Sequence, residues 1–322
     1  MGVWQLMLYT TLGKTGLEVS RICFGTLTIG PLQKNYSIAR GVEILKQATE
    51  NGINFFDSAE LYETYPYLNG LLKAIKTPVI IASKSYAYTF EGMLESIEKA
   101  RKGIDRDYID IFLMHEQESA LTIKGHYPAW EALLAAKEKG IVKAIGISTH
   151  HVQGVSAAKS LAGIDVIHPL INYKGLGIVD GTVEEMLKEI KSARDQGIGI
   201  YAMKALGGGN LSGNYLEALQ YVFAIKELDS VALGMQNLLE IQANCMILNG
   251  TQLPEELHKS LLKHDKKLRI ESWCSSCGKC IKKCSQDALS LNDRNELKVQ
   301  HEKCILCGYC STVCTDFCIK VF

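Results

Sequence analysis

The chain carries no net charge: 35 lysines and arginines balance 35 aspartates and glutamates over 322 residues. A general polyanion-binding role needs a basic excess, so nucleic acid is not an expected partner. Long apolar runs are also lacking. None approaches the ~20 residues that cross a bilayer, and 1–8 has no basic segment leading into an apolar one, so neither a membrane nor export is expected. Proline is scarce beside 28 glycines and 47% hydrophobic residues, a composition that excludes fibrous and disordered classes. The expectation is a cytoplasmic globular protein of about two domains.

Cysteine is sparse through most of the chain, where Cys23 and Cys245 stand alone. Nine of the eleven fall between Cys274 and Cys318. A disulfide scaffold needs an oxidising compartment, which nothing here indicates, so metal ligation is the better reading. Cys274-x2-Cys277-x2-Cys280-x3-Cys284 recurs thirty residues later as Cys304-x2-Cys307-x2-Cys310-x3-Cys314, with Gly278 matching Gly308 and Leu289 and Leu291 matching Ile319 and Val321. Each copy can present three thiolates from one tight loop, while the fourth, carried away from it, is suited to close the opposite cluster. The repeat resembles the bacterial two-cluster ferredoxin domain. That resemblance implies a small α+β iron-sulfur domain over 271–322, with one 4Fe-4S cluster on Cys274, Cys277, Cys280 and Cys314. The second would sit on Cys304, Cys307, Cys310 and Cys284. Two features depart from the pattern: Ser285 and Thr315 replace the proline that usually follows the fourth cysteine. Zinc competes for C-x2-C pairs, but tetrahedral sites do not call for two interleaved sets of four. Cys318 aligns with Ala288 and reads as a core residue.

Ahead of the cysteines, short runs rich in Val, Ile and Phe alternate with segments of helical period. Eight strands are predicted: 22–24, 53–56, 79–82, 108–114, 142–147, 166–171, 198–203 and 230–233. Helices are expected over 38–51, 90–103, 129–139, 183–196 and 216–225. Strands apolar along their whole length are buried on both faces, and eight of them in about 250 residues predict an α/β fold, a (β/α)8 TIM barrel over 8–250. An open doubly wound sheet would alternate similarly, but no G-x-G-x-x-G follows the first strand. The segments 8–11 and 17–20, around Gly13-Lys14-Thr15-Gly16, predict a β-hairpin closing one end. Residues 251–270 carry Lys259, Lys263, Lys266, Lys267 and Arg269 and read as a basic linker helix, either a solvated face or a docking surface.

Reactive groups of such a barrel lie at the C-terminal ends of strands. Asp57 ends the second, Tyr62 follows five positions later, Lys84 ends the third and His115 the fourth. Singly these read as a helix cap, a surface aromatic, a solvated charge and a core histidine. Together they favour a site, because an acidic tyrosine needs a nearby cation and that cation a carboxylate.

From Leu12-Gly13-Lys14-Thr15-Gly16-Leu17-Glu18-Val19-Ser20 through Asp57-x4-Tyr62, Lys84 and His115 to Ile145-Gly146-Ile147-Ser148, the sequence resembles the aldo-keto reductase family. The resemblance implies hydride transfer between NAD or NADP and a small carbonyl or alcohol substrate, with Tyr62 as proton donor, Lys84 and His115 tuning it, and Asp57 pairing with Lys84. It implies cofactor contacts at Gly25, Thr26, Ser148, Asn172, Lys204, Gly207, Gly208, Gly234, Met235, Glu240 and Asn244. Glycines at 207–209 would let backbone N–H groups approach phosphate, or form a flexible turn. Thr149, His168, Met203 and Glu240 depart from the usual residues. An acidic Glu240 would repel a 2′-phosphate and suit a 2′-hydroxyl, which keeps NADH beside NADPH. A hydride moves two electrons where a 4Fe-4S cluster passes one, so three readings stand: a reductase with a cluster relay, an electron-transfer protein whose barrel binds a cofactor or a redox partner, and a structural module.

Overall fold

Strands buried on both faces have nowhere to end a sheet, and closing it removes the edges. In the computed structural model, which describes residues 7–262 and 267–321, a hairpin of β1 (Tyr9–Thr11) and β2 (Glu18–Ser20) precedes eight parallel strands. These are β3 (Ile22–Gly25), β4 (Phe55–Asp57), β5 (Ile80–Ser85), β6 (Ile109–Met114), β7 (Val142–Thr149), β8 (Val166–Pro169), β9 (Gly199–Ala202) and β10 (Ser230–Gly234). They close in chain order, β10 pairing with both β3 and β9. All eight predicted strands are present, and so is the hairpin, paired antiparallel from Tyr9 opposite Ser20. Its turn closes one end of the barrel: Gly13, at φ +52°, lies so near Gly199 that a Cβ would come 2.2 Å from that residue's nitrogen.

The outer ring comprises α1 (Ile38–Glu50), α2 (Tyr65–Ala74), α3 (Phe90–Ile104), α4 (Ala120–Gly125), α5 (Tyr127–Glu138), α6 (Val152–Ala158), α7 (Val183–Asp195), α8 (Tyr215–Ala224) and α9 (Leu238–Leu248). Polar caps set several starts. Ser37 and Thr89 accept backbone N–H groups at α1 and α3, and Thr182 with Glu185 forms a capping box at α7.

Period-two alternation divides each strand between two cores. Phe24, Phe56, Ile81 and Phe112 face the helices, whereas Cys23, Phe55, Ala82, Ile111, Leu113, Ala144, Val166 and Tyr201 fill the barrel interior with Leu12 and Val19 of the hairpin region. The same alternation extends upward. Two residues past Phe55, Ala82 and Leu113 come Asp57, Lys84 and His115, and two past Val166 and Tyr201 come His168 and Met203. The barrel thus changes from apolar packing to titratable chemistry within one layer at the C-terminal ends of its strands.

The single linker helix expected over 251–270 needs correction. Helix α10 covers only Glu255–Leu262, and Leu268–Ile270 is a strand, β11, with Leu268 buried and Arg269 exposed, an alternation that sends Leu268 into the cysteine module's core. Lys263 and Lys266 lie outside the described residues.

Beyond it come α11 (Lys279–Lys283), β12 (Leu289–Leu291), β13 (Leu297–Val299) and β14 (Ile319–Val321). Strand β11 pairs antiparallel with β14, and β12 with β13. A thirty-residue offset carries β12 onto β14 and β11 close to β13, so each small sheet joins one strand from either copy of the repeat. Among the described residues no helix is long and apolar enough to cross a membrane.

Candidate active site and cysteine module

Burying a lysine charge costs several kcal/mol where an apolar side chain would gain about 1.5–3 kcal/mol. Lys84 nevertheless sits in the top interior layer, its side chain 2% exposed. Its ammonium donates to both Asp57 carboxylate oxygens, at 2.9 and 2.7 Å, and to the Ser58 carbonyl at 2.8 Å. Tyr201, fully buried below, donates its hydroxyl to Asp57 Oδ1 at 3.0 Å. Tyr62 ends a short 3₁₀ turn, Glu60–Tyr62, and its ring centre lies 5.0 Å from Lys84 Nζ and 5.9 Å from the His115 ring, edge to face. Tyr86 stacks on His115 at 4.1 Å. All four residues expected from the strand ends therefore meet in one cluster.

The electrostatics differ from expectation at Tyr62. Burial pushes its phenol well above the ordinary value, and Asp57 and Glu116 push in the same direction. Lys84 is committed to Asp57 and Ser58, so its charge is shared before it reaches the phenol, which stays protonated. Burial, then Lys84 and Lys204, hold His115 well below its usual value, and its Nδ1 is buried with no hydrogen-bond partner. A neutral imidazole and a protonated phenol thus face one mouth.

The expected cofactor contacts are distributed unevenly. Thr26 is buried, donating to the Asp57 carbonyl and sharing a hydrogen bond with Thr64. Asn172 is fully buried and its amide is spent on loops, donating to the Leu176 and Lys204 carbonyls and accepting from the Lys174 and Leu176 N–H groups. Ser148 is buried and accepts from the Glu116 N–H. Gly25 ends β3 beside Gly234, Met235 is buried with its carbonyl accepting from Thr28, and Asn244 lies within α9. Glu240 stands in the first turn of α9, its carboxylate accepting from the Gln236 N–H.

The glycine loop after β9 has a different neighbour from the one expected. Gly207, Gly208 and Gly209 are all left-handed. A Cβ on Gly209 would fall 1.6 Å from the Val321 carbonyl oxygen, one on Gly208 would meet Lys320 and Phe317, and one on Gly207 would meet Leu176 and Leu211. Asn210 donates to the Ile319 carbonyl at 3.0 Å. At Gly208 and Gly209 the close approach is taken by residues 317–321 of the cysteine module, which lies on this side of the barrel mouth, whereas Gly207 faces Leu176 and Leu211 of the barrel. Sequence reasoning missed this contact, as well as Tyr201, Tyr86, Glu116 and His150. Tyr201 was findable from its inward register, and Glu116 from its place after His115.

Two hollows lie within the module. One is lined by Cys284, Cys304, Cys307 and Cys310; the other by Cys274, Cys277, Cys280, Cys314 and Cys318. Exposure follows the repeat: Cys277 and Cys307 are exposed, Cys280 and Cys310 buried. Burial and neighbouring thiols push Cys310 up to about 12. Among the described residues, no three His, Cys, Asp or Glu side chains converge as a single metal ion requires. Cys318, 2% exposed, packs its sulfur 3.4 Å from that of Cys314.

The closed eight-stranded parallel barrel carries Tyr62, Lys84, His115 and Asp57 together at its C-terminal mouth. The sequence pattern of the Aldo/keto reductase family matches residues 21–222, well over half of the chain, and the protein belongs to that family of oxidoreductases. It is 27% identical over 276 residues to L-galactose dehydrogenase of Arabidopsis thaliana, covering 72% of this chain and 85% of that protein. It is 26% identical over 233 residues to an aldo-keto reductase of Bacillus subtilis, covering 67% of each. Among solved structures, the holo form of a Bacillus halodurans aldo-keto reductase superposes with a TM-score of 0.64 at 20% identity, covering 80% of this chain and 96% of that one. The family match ends well before the cysteine repeat.

Proposed function

We propose that the barrel interconverts a small carbonyl compound and its alcohol, with Tyr62 as the proton donor. The observation that carries this reading is the doubly bonded Lys84–Asp57 pair, buried directly beneath the Tyr62 ring. Tyr62, kept protonated, has a proton to give a carbonyl oxygen; neutral His115 can donate one N–H to the same oxygen and orient it; Asp57 and Ser58 hold Lys84 in place. The chemistry that NAD or NADP supplies when bound is hydride exchange with the carbonyl carbon. Fit to that cofactor is best at the start of α9, where Gly234, Glu240 and Asn244 would hold its adenosine end and the acidic Glu240 suits a 2′-hydroxyl. Asn172, whose amide is spent on loop backbone, offers less to a carboxamide, whereas Ser148 accepts from the Glu116 N–H and keeps its hydroxyl proton to donate. Replacing Tyr62 with phenylalanine should lower turnover ~10²-fold to 10⁴-fold with nicotinamide binding nearly intact; unchanged turnover removes Tyr62 from the mechanism.

For 271–322 we propose two 4Fe-4S clusters, one for each interleaved set of four cysteines. The separation of the two sets between two hollows supports this reading, since two interleaved sets of four suit two clusters better than tetrahedral zinc sites. Such clusters supply one-electron transfer. About eight iron and eight acid-labile sulfide per chain are expected after anaerobic purification, and stoichiometric zinc without sulfide refutes the assignment. A second reading, an electron relay between the barrel and a redox protein, is favoured by the seating of Phe317 at the barrel mouth and by exposed Ile305 and Tyr309 beside Cys307.

A further inference from the structure

The module brings two side chains to the barrel mouth. On β14, Ile319 and Val321 belong to the module's own core, so the intervening Lys320 faces the barrel, and Phe317 precedes it in a left-handed turn. Lys320 Nζ lies 3.1 Å from the Phe317 ring centre and Lys204 Nζ 4.9 Å from the same centre. Lys204, left-handed at φ +59°, places its ammonium 2.7 Å from His150 Nε2, and the His150 ring meets Phe317 edge to face at 6.2 Å. His150 reaches Glu116 at 3.4 Å, and Glu116 accepts from the Tyr86 hydroxyl, whose ring stacks on His115. Three basic side chains from two parts of the chain therefore crowd around one aromatic ring, next to the proposed proton-transfer groups.

We propose that Lys204, Lys320 and His150 form a binding site for an oxygen anion, a phosphate or carboxylate group, built jointly by the barrel and the cysteine module. Lys320 Nζ already donates to the Phe317 carbonyl at 2.5 Å and Lys204 Nζ meets His150 Nε2, so an anion between the lysines would relieve their repulsion and take the N–H groups that remain. The electrostatics agree. Burial and then Lys204 lower Lys320 to about 6, and burial lowers Lys204 to about 8. Burial, then Lys204, Lys320, His115 and His151, hold His150 well below its ordinary value. Among the described residues Glu271, the Cys314 sulfur and Glu116 oppose these effects on Lys320. Position suggests the source: a ligand whose carbonyl lies at Tyr62 and His115 would carry its anionic group toward Lys204 and Lys320. This last step alone rests on the carbonyl site proposed above.

The test is calorimetric titration of the full-length, anaerobically purified protein with inorganic phosphate at pH 7.5, in two buffers of different protonation enthalpy. Wild type should bind phosphate and take up protons as it does so. Lys320→Met and Lys204→Met should each weaken binding about 10-fold to 100-fold, as loss of a charge-assisted contact does, and Lys320→Met should reduce the proton uptake. Lys320→Arg should retain binding, which separates lost charge from lost folding, and Lys259→Met on exposed α10 should change nothing. Tyr62→Phe should bind phosphate as wild type does, so failure of the carbonyl reading leaves this result standing. Phosphate that does not compete with NADPH marks an anion site separate from the cofactor's; phosphate that competes with NADPH sits in the cofactor's own diphosphate subsite and overturns the proposal of a separate site. Absent phosphate binding, or equal binding by wild type and both Met variants, overturns the proposal.

Discussion

Gly209→Ala is the sharpest probe of how the module sits on the barrel. The added methyl would lie 1.6 Å from the Val321 carbonyl oxygen and 2.6 Å from its carbon, both backbone atoms of β14, at a residue with φ +87°. A left-handed alanine costs ~1–2 kcal/mol by itself. The overlap can be relieved only by moving β14 away, which forfeits the Asn210–Ile319 hydrogen bond, about 1 kcal/mol, and the packing of Phe317, about 1.5–3 kcal/mol. Together these reach about 4–6 kcal/mol, enough to undock the module while each part keeps its own core. Hydrogen exchange at the amides of 319–321 reads the change, with Gly213→Ala as the control, since nothing lies within 4 Å of a Cβ there. Protection at Val321 equal to wild type in Gly209→Ala would refute the assignment of this loop as the docking contact.

Asp57→Asn should cost about 3–5 kcal/mol in denaturant unfolding, because it leaves Lys84 buried beside a neutral amide; a loss under 1 kcal/mol would mean that water reaches the pair. His168 is lowered to about 4 by burial, so its folded value lies below the unfolded 6.5 and the unfolded state binds more protons between them. Stability should therefore fall by about 2 kcal/mol from pH 7 to pH 5, and His168→Gln should flatten that part of the pH profile; an equal slope in both proteins would refute this origin.

Much of the barrel was legible because burial on both faces writes itself into local composition. The runs around Phe55, Ile81, Phe112 and Ile145 could be read as strands without knowledge of their partners, and strand-end counting then placed Asp57, Lys84 and His115 on one layer. The edges were less legible. Leu268–Ile270 looked like the end of a basic helix, since three residues are too few for a period to declare itself, and pairing with β14, fifty residues away, decided their conformation. Gly209 declared a close approach without naming the strand it meets: a glycine reports that something comes near, and a phosphate and a strand backbone ask for the same missing Cβ. Phe317 and Lys320 carried no signal, because their meaning depends on which way β14 faces once the module is docked.

That docking alters the chemistry open to the mouth. Lys204, in a left-handed turn after β9, meets His150 of the barrel and Phe317 of the module. Here Phe317 and Lys320 close over it from the module side, burial lowers both lysines, and His150 and Glu116 connect the pair to Tyr86 and then to His115. The proton affinity of the groups around Tyr62 therefore depends on a segment that begins three residues after Cys314. Anything that changes the seating of β14 must change the charge near His115, because Lys204 and His150 both face that contact and the lysine acts directly on the imidazole. Phe317 and Lys320 of the cysteine module thus stand beside Lys204 and His150 at the barrel mouth.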